Sequence, residues 1–203
     1  MARPRTDIEP RILHAARQEF LTSGVDGASL RKIARGARTN VGMIYYYFRT
    51  KDDLFLGVVE ELYVKLLAEL EVILGSDAPL QAKLQKMFLR IGAASDEEVD
   101  VIRLVVREAL VSTTRFERLF SRFQHGHVGM LFRAFVDGMQ TGEVDTNLPL
   151  PMLVVGSLAL GGIPQFLRRV AGDKPPFTML PDSKALTELS VDVLFRGIGP
   201  KKK

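Results

Sequence analysis

The chain contains no cysteine. Disulfides, thiolate catalysis and cysteine-ligated metal sites are therefore excluded, which fits a reducing, cytoplasmic setting. No apolar run follows Arg3 and Arg5, so no signal peptide is expected. There is no internal repeat, no low-complexity segment and no sustained run of period-two alternation, which leaves the helix as the regular element. No nucleophile–base pairing, P-loop or dinucleotide fingerprint is found. An enzyme is not expected, nor is a cofactor. Charge is lacking from Leu148 to Leu167, a length that could span a bilayer. Pro149, Pro151, Pro164, Gly156, Gly161, Gly162, Ser157 and Gln165 interrupt that stretch, which reads as a buried helix or a subunit interface and not as a membrane anchor.

Acidic residues are wholly missing from Ser29 to Lys51, which holds Arg31, Lys32, Arg35, Arg38, Arg49 and Lys51. Residues 1–57 carry ten Lys or Arg against six Asp or Glu, and residues 58–203 carry 18 of each sign, so the whole formal excess of +4 lies in the first quarter of the chain. A generally basic surface would spread that charge, whereas a local polyanion site concentrates it.

At 203 residues the chain can bury a full core and fits one or two domains. Helix 1 is expected from Thr6 or Asp7, with Ile12, Ala16 and Phe20 as its buried stripe and an end between Gly24 and Gly27. Ser29 is placed to cap a second helix and Asn40 a third, with Arg38-Thr39 as the turn between them. Val41, Ile44, Tyr45 and Phe48 are expected to face inward, and Thr39, Gly42, Met43, Tyr46 and Tyr47 outward. A fourth helix runs from Lys51 past Leu74. Further helices are expected over 80–94, 97–112, 115–141, 149–170 and 183–197. Pro164 should end or kink its helix. Residues 173–181 read as a loop and 197–203 as a short basic tail.

This arrangement suits double-stranded DNA. Arg31 and Lys32 occupy a first helical turn where the macrodipole favours acidic residues. A phosphate held by free N–H groups, Ser29 and the basic side chains resolves that mismatch, although a tolerated surface charge accounts for it too. Gly42 allows close backbone approach. Thr39, Asn40 and Met43 can reach base edges, and Tyr46 and Tyr47 can contact phosphate, sugar or bases. Core packing accounts for most of Tyr45. Lys51 is placed to pin a phosphate.

Ile12 through Leu54 resembles the N-terminal domain of the TetR (TetR/AcrR) family of one-component transcriptional regulators. The resemblance rests on Ile12-Leu13-His14-Ala15-Ala16, Phe20, Gly24, Ile33-Ala34, Gly42, Ile44-Tyr45, Phe48, Lys51 and Leu54. It implies an all-α chain with an N-terminal three-helix helix-turn-helix domain at 1–50. A ligand-binding and dimerisation domain at 51–203 would follow, with the helix at about 51–74 as connector. It also implies a homodimer, usually a repressor, that is released by a small-molecule effector. The third helix would be the recognition helix, and a two-fold dimer would place a pair of them about 34–36 Å apart or somewhat more on a palindrome. Three positions depart from the family pattern. Arg38 stands in place of a turn glycine and implies a left-handed backbone or an altered turn. Asn40 replaces a serine cap, and Tyr47 replaces a histidine.

Beyond residue 57 the resemblance is only in helical character. Phe88, Ile91, Phe116, Phe120, Phe123, Met130, Leu131, Phe132 and Phe135 form either a plain core or the wall of an apolar pocket. Met87, Phe88, Ile91, Phe123, His127, Met130 and Gln165 are the pocket candidates. His125 and His127 would point about 200° apart on a continuous helix, so no metal site is expected. Glu108 pairs with a neighbouring arginine or serves a ligand. Leu153, Gly156 and Leu160, with Leu186, Leu189 and Val193, are candidates for a dimer seam, or for burial within the chain. Two alternatives stand beside the regulator: an architectural DNA-binding protein without an inducer, and a helical enzyme.

Overall fold

The computed structural model describes residues 7–123 and 126–199, so the first residues of the expected helix 1, His125 and the tail from 200 lie outside the described residues. The helices are α1 (Ile8–Gly27), α2 (Leu30–Gly36), α3 (Val41–Tyr47), α4 (Lys51–Leu74), α5 (Leu80–Gly92), α6 (Asp96–Val111), α7 (Thr113–Phe123), α8 (His127–Gln140), α9 (Leu150–Ser157), α10 (Ile163–Ala171) and α11 (Ser183–Ile198). No strand occurs among the described residues. The chain is all-α, and it divides into two compact units, residues 1–65 with 100–122 and residues 66–99 with 123–203.

In the first unit the stripe Ile12, Ala16 and Phe20 is fully buried, joined by Val25, Ile33, Ile44, Leu54, Phe55 and Val58. Phe20 meets Phe55 edge-on at 6.3 Å. Gly24 sits at φ 73°, a left-handed value that breaks α1 where the glycines predict its end. The unit reaches well past residue 50. It takes in the first half of α4, the greater part of α6 and most of α7.

The second unit centres on Leu80, Leu84, Met87, Phe88, Leu131, Phe135, Val191 and Leu194. Its α5 packs against α8, α10 and α11. Asp182 caps α11 by accepting from the Ala185 N–H at 2.8 Å, and Glu143 accepts from the Leu80 N–H at 2.8 Å at the start of α5.

Two expected helices differ. The span 115–141 is two helices, α7 and α8, because Gly126 adopts a non-helical backbone (φ −83°, ψ −129°) and starts α8. The helix expected over 149–170 is interrupted just ahead of Pro164. A π turn over Leu158–Gly162 precedes it, so the proline falls in the first turn of α10, where its missing N–H is tolerated. The run Leu150–Ala171 is long and apolar enough to cross a membrane by length and composition, yet Leu153, Val154, Gly161, Gly162 and Gln165 within it are buried in the protein.

Candidate nucleic-acid interface

Local chemistry builds the α2–turn–α3 segment. Ser29 Oγ accepts the Lys32 N–H at 3.4 Å and caps α2, and Asn40 Oδ1 accepts the Met43 N–H at 2.9 Å and caps α3. Between them, Arg38 N–H donates to Arg35 O at 3.1 Å and Thr39 N–H donates to Ala34 O at 2.9 Å. Those paired bonds define a Schellman ending, which places its following residue in the left-handed region. That residue is Arg38, at φ 52°. Arg38→Gly is therefore expected to raise stability by about 1 kcal/mol, by removing the Cβ penalty. Chemical denaturation checks this, and a fall in stability would contradict it.

Ile44 and Phe48 turn inward from α3, while Tyr45 (53%) and Tyr46 (69%) are exposed. Tyr45 is thus corrected from a core position to a surface one. Helix α3 is only two turns long, and Ile44 with Phe48 already fills its inward side. Tyr47 is half-buried and meets Tyr46 edge-on at 5.2 Å. Arg31, Arg38, Asn40 and Gly42 are exposed, and Ser29, Thr39, Met43 and Lys51 are half-buried. The α2–turn–α3 segment therefore offers hydroxyls, an amide and guanidinium groups to solvent. Two of the expected phosphate ligands have partners within the protein. Lys32 lies 3.7 Å from Glu19, which softens the charge mismatch at the start of α2. Lys51 Nζ donates to Asp26 O at 2.8 Å, leaving its other protons for an outside acceptor.

Sequence reasoning missed a charged cluster behind this surface. Glu108 accepts from the Val25 N–H at 3.2 Å and pairs with Arg107 at 3.2 Å and Arg115 at 2.8 Å. Arg115 also pairs with Asp26 and Asp52, and Arg118 with Asp52 and Asp53. Thr50 and Asp53 form a reciprocal box at the start of α4, each N–H reaching the other's side chain at 3.0 Å. The hydrogen bond from Arg115 holds the Asp26 carboxyl below its usual range. Partial burial pushes Asp53 up, but the bonds from Thr50 and Arg118 outweigh it and leave the group lowered. Both carboxylates thus stabilise the fold above the ordinary carboxylate range, and that contribution is lost as pH falls through their lowered folded values. The expected pairing of Glu108 with a neighbouring arginine is present in Arg107, and the arginine spacing 115, 118, 122 is the further signal in the sequence.

In the second unit the pocket candidates separate. Met87 and Phe88 are fully buried in the core, with Ile91 and Met130 packed against it. Gln165 is buried in a closed network: its Nε2 donates to Ser183 O and Thr187 Oγ1, both at 2.8 Å, and Ser183 Oγ donates to its Oε1 at 3.0 Å. Its hydrogen-bonding capacity serves α10–α11 packing. Phe123 is half-buried, and burial lowers the His127 pKa, favouring the neutral ring. In the first unit, Phe116 and Phe120, expected in a plain core or a pocket wall, are half exposed and stack on each other at 6.2 Å. An open cavity of about 460 Å³ lies elsewhere, lined by Arg168, Arg169, Phe177, Thr178 and Leu180 among others. None of the expected pocket residues lines it. No cluster able to hold a metal occurs among the described residues.

The expected dimer residues also divide. Leu153 (4%) and Leu186 (5%) are buried within the protomer, the alternative to the seam that the sequence left open. Helical periodicity identifies an apolar face without saying which neighbour covers it. Leu160, Leu189 and Val193 are exposed, and Gly156 is half-exposed. Met152, Val155 and Ile163 add to the exposed apolar surface on the same run.

Residues 12–58 match the family described as bacterial regulatory proteins, tetR family. The chain is 27% identical over 175 residues to the HTH-type transcriptional repressor SCO4008 of Streptomyces coelicolor, covering 84% of this chain and 87% of that protein. It is 23% identical over 141 residues to the fatty acid metabolism regulator protein of Bacillus subtilis, covering 68% and 71%. Among solved structures, the transcriptional regulator FadR of Bacillus subtilis, in complex with stearoyl-CoA, is similar with a TM-score of 0.73. That match covers 93% of this chain and 98% of that one at 20% identity, a likeness of fold alone.

Proposed function

Because the chain belongs, through residues 12–58, to the tetR family of bacterial regulatory proteins, we propose that this transcriptional regulator is a cytoplasmic homodimeric repressor that binds a palindromic operator. A small, largely apolar effector releases it. The single observation that carries the DNA reading is the exposed face of the capped α2–turn–α3 segment. Tyr45, Tyr46, Arg31, Arg38 and Asn40 are exposed there, with Thr39, Met43, Tyr47, Ser29 and Lys51 half-buried. In this reading Thr39, Asn40, Gly42 and Met43 face base edges, and the others position the backbone. The reading takes residues 1–50 as the DNA-binding domain and 51–203 as the effector and dimerisation domain. Met152, Val155, Leu160, Ile163, Leu189 and Val193 supply the exposed apolar surface for a two-fold seam.

A ligand releases DNA only if it binds one arrangement of the protein better than another. Stearoyl-CoA in the Bacillus subtilis FadR structure makes long-chain acyl-CoA the first effector class to test. Met87, Phe88, Ile91, Phe123, His127 and Met130 remain the proposed lining.

The test is binding to palindromes from DNA flanking the gene, across a salt series, for wild type and Arg38→Gly/Tyr46→Ala. Arg38→Gly relieves the left-handed strain, so weakened binding would not come from unfolding. The variant is expected to bind at least about tenfold more weakly, with a salt slope reduced by about 1 for the lost phosphate contact. Equal, weak binding to every duplex would favour an architectural protein instead.

A further inference from the structure

The helix-turn-helix segment is bracketed by Asp26, at the end of α1, and Asp52, in the first turn of α4. Both carboxylates are held by one guanidinium that lies far away in sequence. Arg115, on α7, is 8% exposed at its side chain. Its Nε donates to Asp52 Oδ1 at 3.0 Å, and its Nη1 to Asp26 Oδ2 at 3.1 Å and Glu108 Oε2 at 2.8 Å. Its Nη2 donates to Asp26 Oδ1. Glu108, thus anchored, accepts the Val25 N–H immediately after the break at Gly24. Arg107 donates to Leu21 O at 3.2 Å and to Phe20 O, two carbonyls in the last regular turn of α1. Lys51 closes the ring by donating to Asp26 O. The entry to the DNA-reading segment and its exit are therefore tied to each other and to α6–α7.

We propose that Arg115 is a positioning residue for operator binding: it touches no DNA, but fixes the two ends of the segment that does. The inference rests on the DNA-binding role of that segment. The guanidinium spreads four bonds to Asp26, Asp52 and Glu108 over three nitrogens in a fixed fork, whereas an ammonium has three donors on one atom and cannot reproduce that pattern. Arg115 carries no share of the phosphate contact, so its loss lowers affinity without changing how affinity depends on salt.

The experiment compares wild type, Arg115→Lys, Arg115→Met/Glu108→Gln and Arg122→Gln. Arg115→Lys keeps the charge and loses the fork. The double variant removes the buried pair together, so that no carboxylate is left buried without its cation. Glutamine at 108 still accepts the Val25 N–H. Arg122 pairs with Glu60 at 2.6 Å on the same helix but away from the bracketed segment, so its variant controls for lost positive charge. Folded fraction is measured first, and Arg115→Lys decides if the double variant fails to fold.

The expected result is at least about a tenfold loss of operator affinity in both Arg115 variants with an unchanged salt slope, and less than about a twofold change in Arg122→Gln. Hydrogen exchange at the Val25, Thr50 and Asp53 amides should quicken in the Arg115 variants. Operator affinity within about twofold of wild type would overturn the proposal. So would a salt slope that falls by about 1, which marks a direct phosphate contact. Were wild type to bind no duplex, the DNA reading would fail and the proposal with it, an outcome distinct from failure of the proposal alone, in which wild type and the Arg115 variants bind the operator equally well.

Discussion

Gly161→Ala should lower the stability of the folded chain by about 3 kcal/mol, although alanine is the better helix former. A Cβ at this position would stand 2.2 Å from two atoms of the Phe88 ring and 2.4 Å from a third. Real carbon contacts do not approach so closely, and Phe88 is fully buried, so its ring has no open side to retreat to. Helix propensity alone argues the opposite sign, a gain of about 1 kcal/mol. Chemical denaturation therefore separates the two effects by direction. Phe88→Leu is expected to destabilise on its own through lost packing. It should also rescue Gly161→Ala in part, so that the double variant loses clearly less than the sum of the two singles. A Gly161→Ala protein at least as stable as wild type would mean that the π turn Leu158–Gly162 does not press on that ring.

Leu189→Glu/Val193→Glu should convert the proposed dimer to monomer and reduce operator affinity by about a hundredfold or more. Both side chains are about half exposed, at 55% and 48%, so the protomer can accept the charges without burying them. Across a two-fold seam the same charges would meet their symmetry mates in a desolvated apolar patch. A palindrome is gripped by two heads whose linkage supplies a high effective concentration for the second half-site. A monomer loses that advantage while keeping its contacts to a single half-site. Light scattering or sedimentation reads the oligomeric state, and binding to full and half operators reads the linkage. A variant that stays dimeric would remove α11 from the seam. Leu186→Glu serves as the contrast, because its 5% exposure predicts unfolding of the protomer instead.

Features set by neighbours in sequence were legible before any packing was known. Ser29 and Asn40 are good caps because their short oxygens reach an N–H three residues on, and both do so in the fold. The family resemblance set Arg38 at the place of a turn glycine, implying a left-handed backbone or an altered turn, and it sits at φ 52°. The broad helix pattern followed from apolar spacing, and the local excess of basic residues pointed to DNA. Tertiary structure alone decided which apolar residues a neighbour covers. Periodicity put Tyr45 inward and left Leu153 and Leu186 between an outer seam and burial within the chain. Packing exposes the tyrosine and buries both leucines, because a helix face is defined by sequence while its partner is not. The Arg115 cluster was illegible for a stronger reason. Its bonds to Asp52 and Asp26 join residues 63 and 89 positions apart. Charge in a sequence records what a side chain can pair with, and only the folded chain brings the partners within reach.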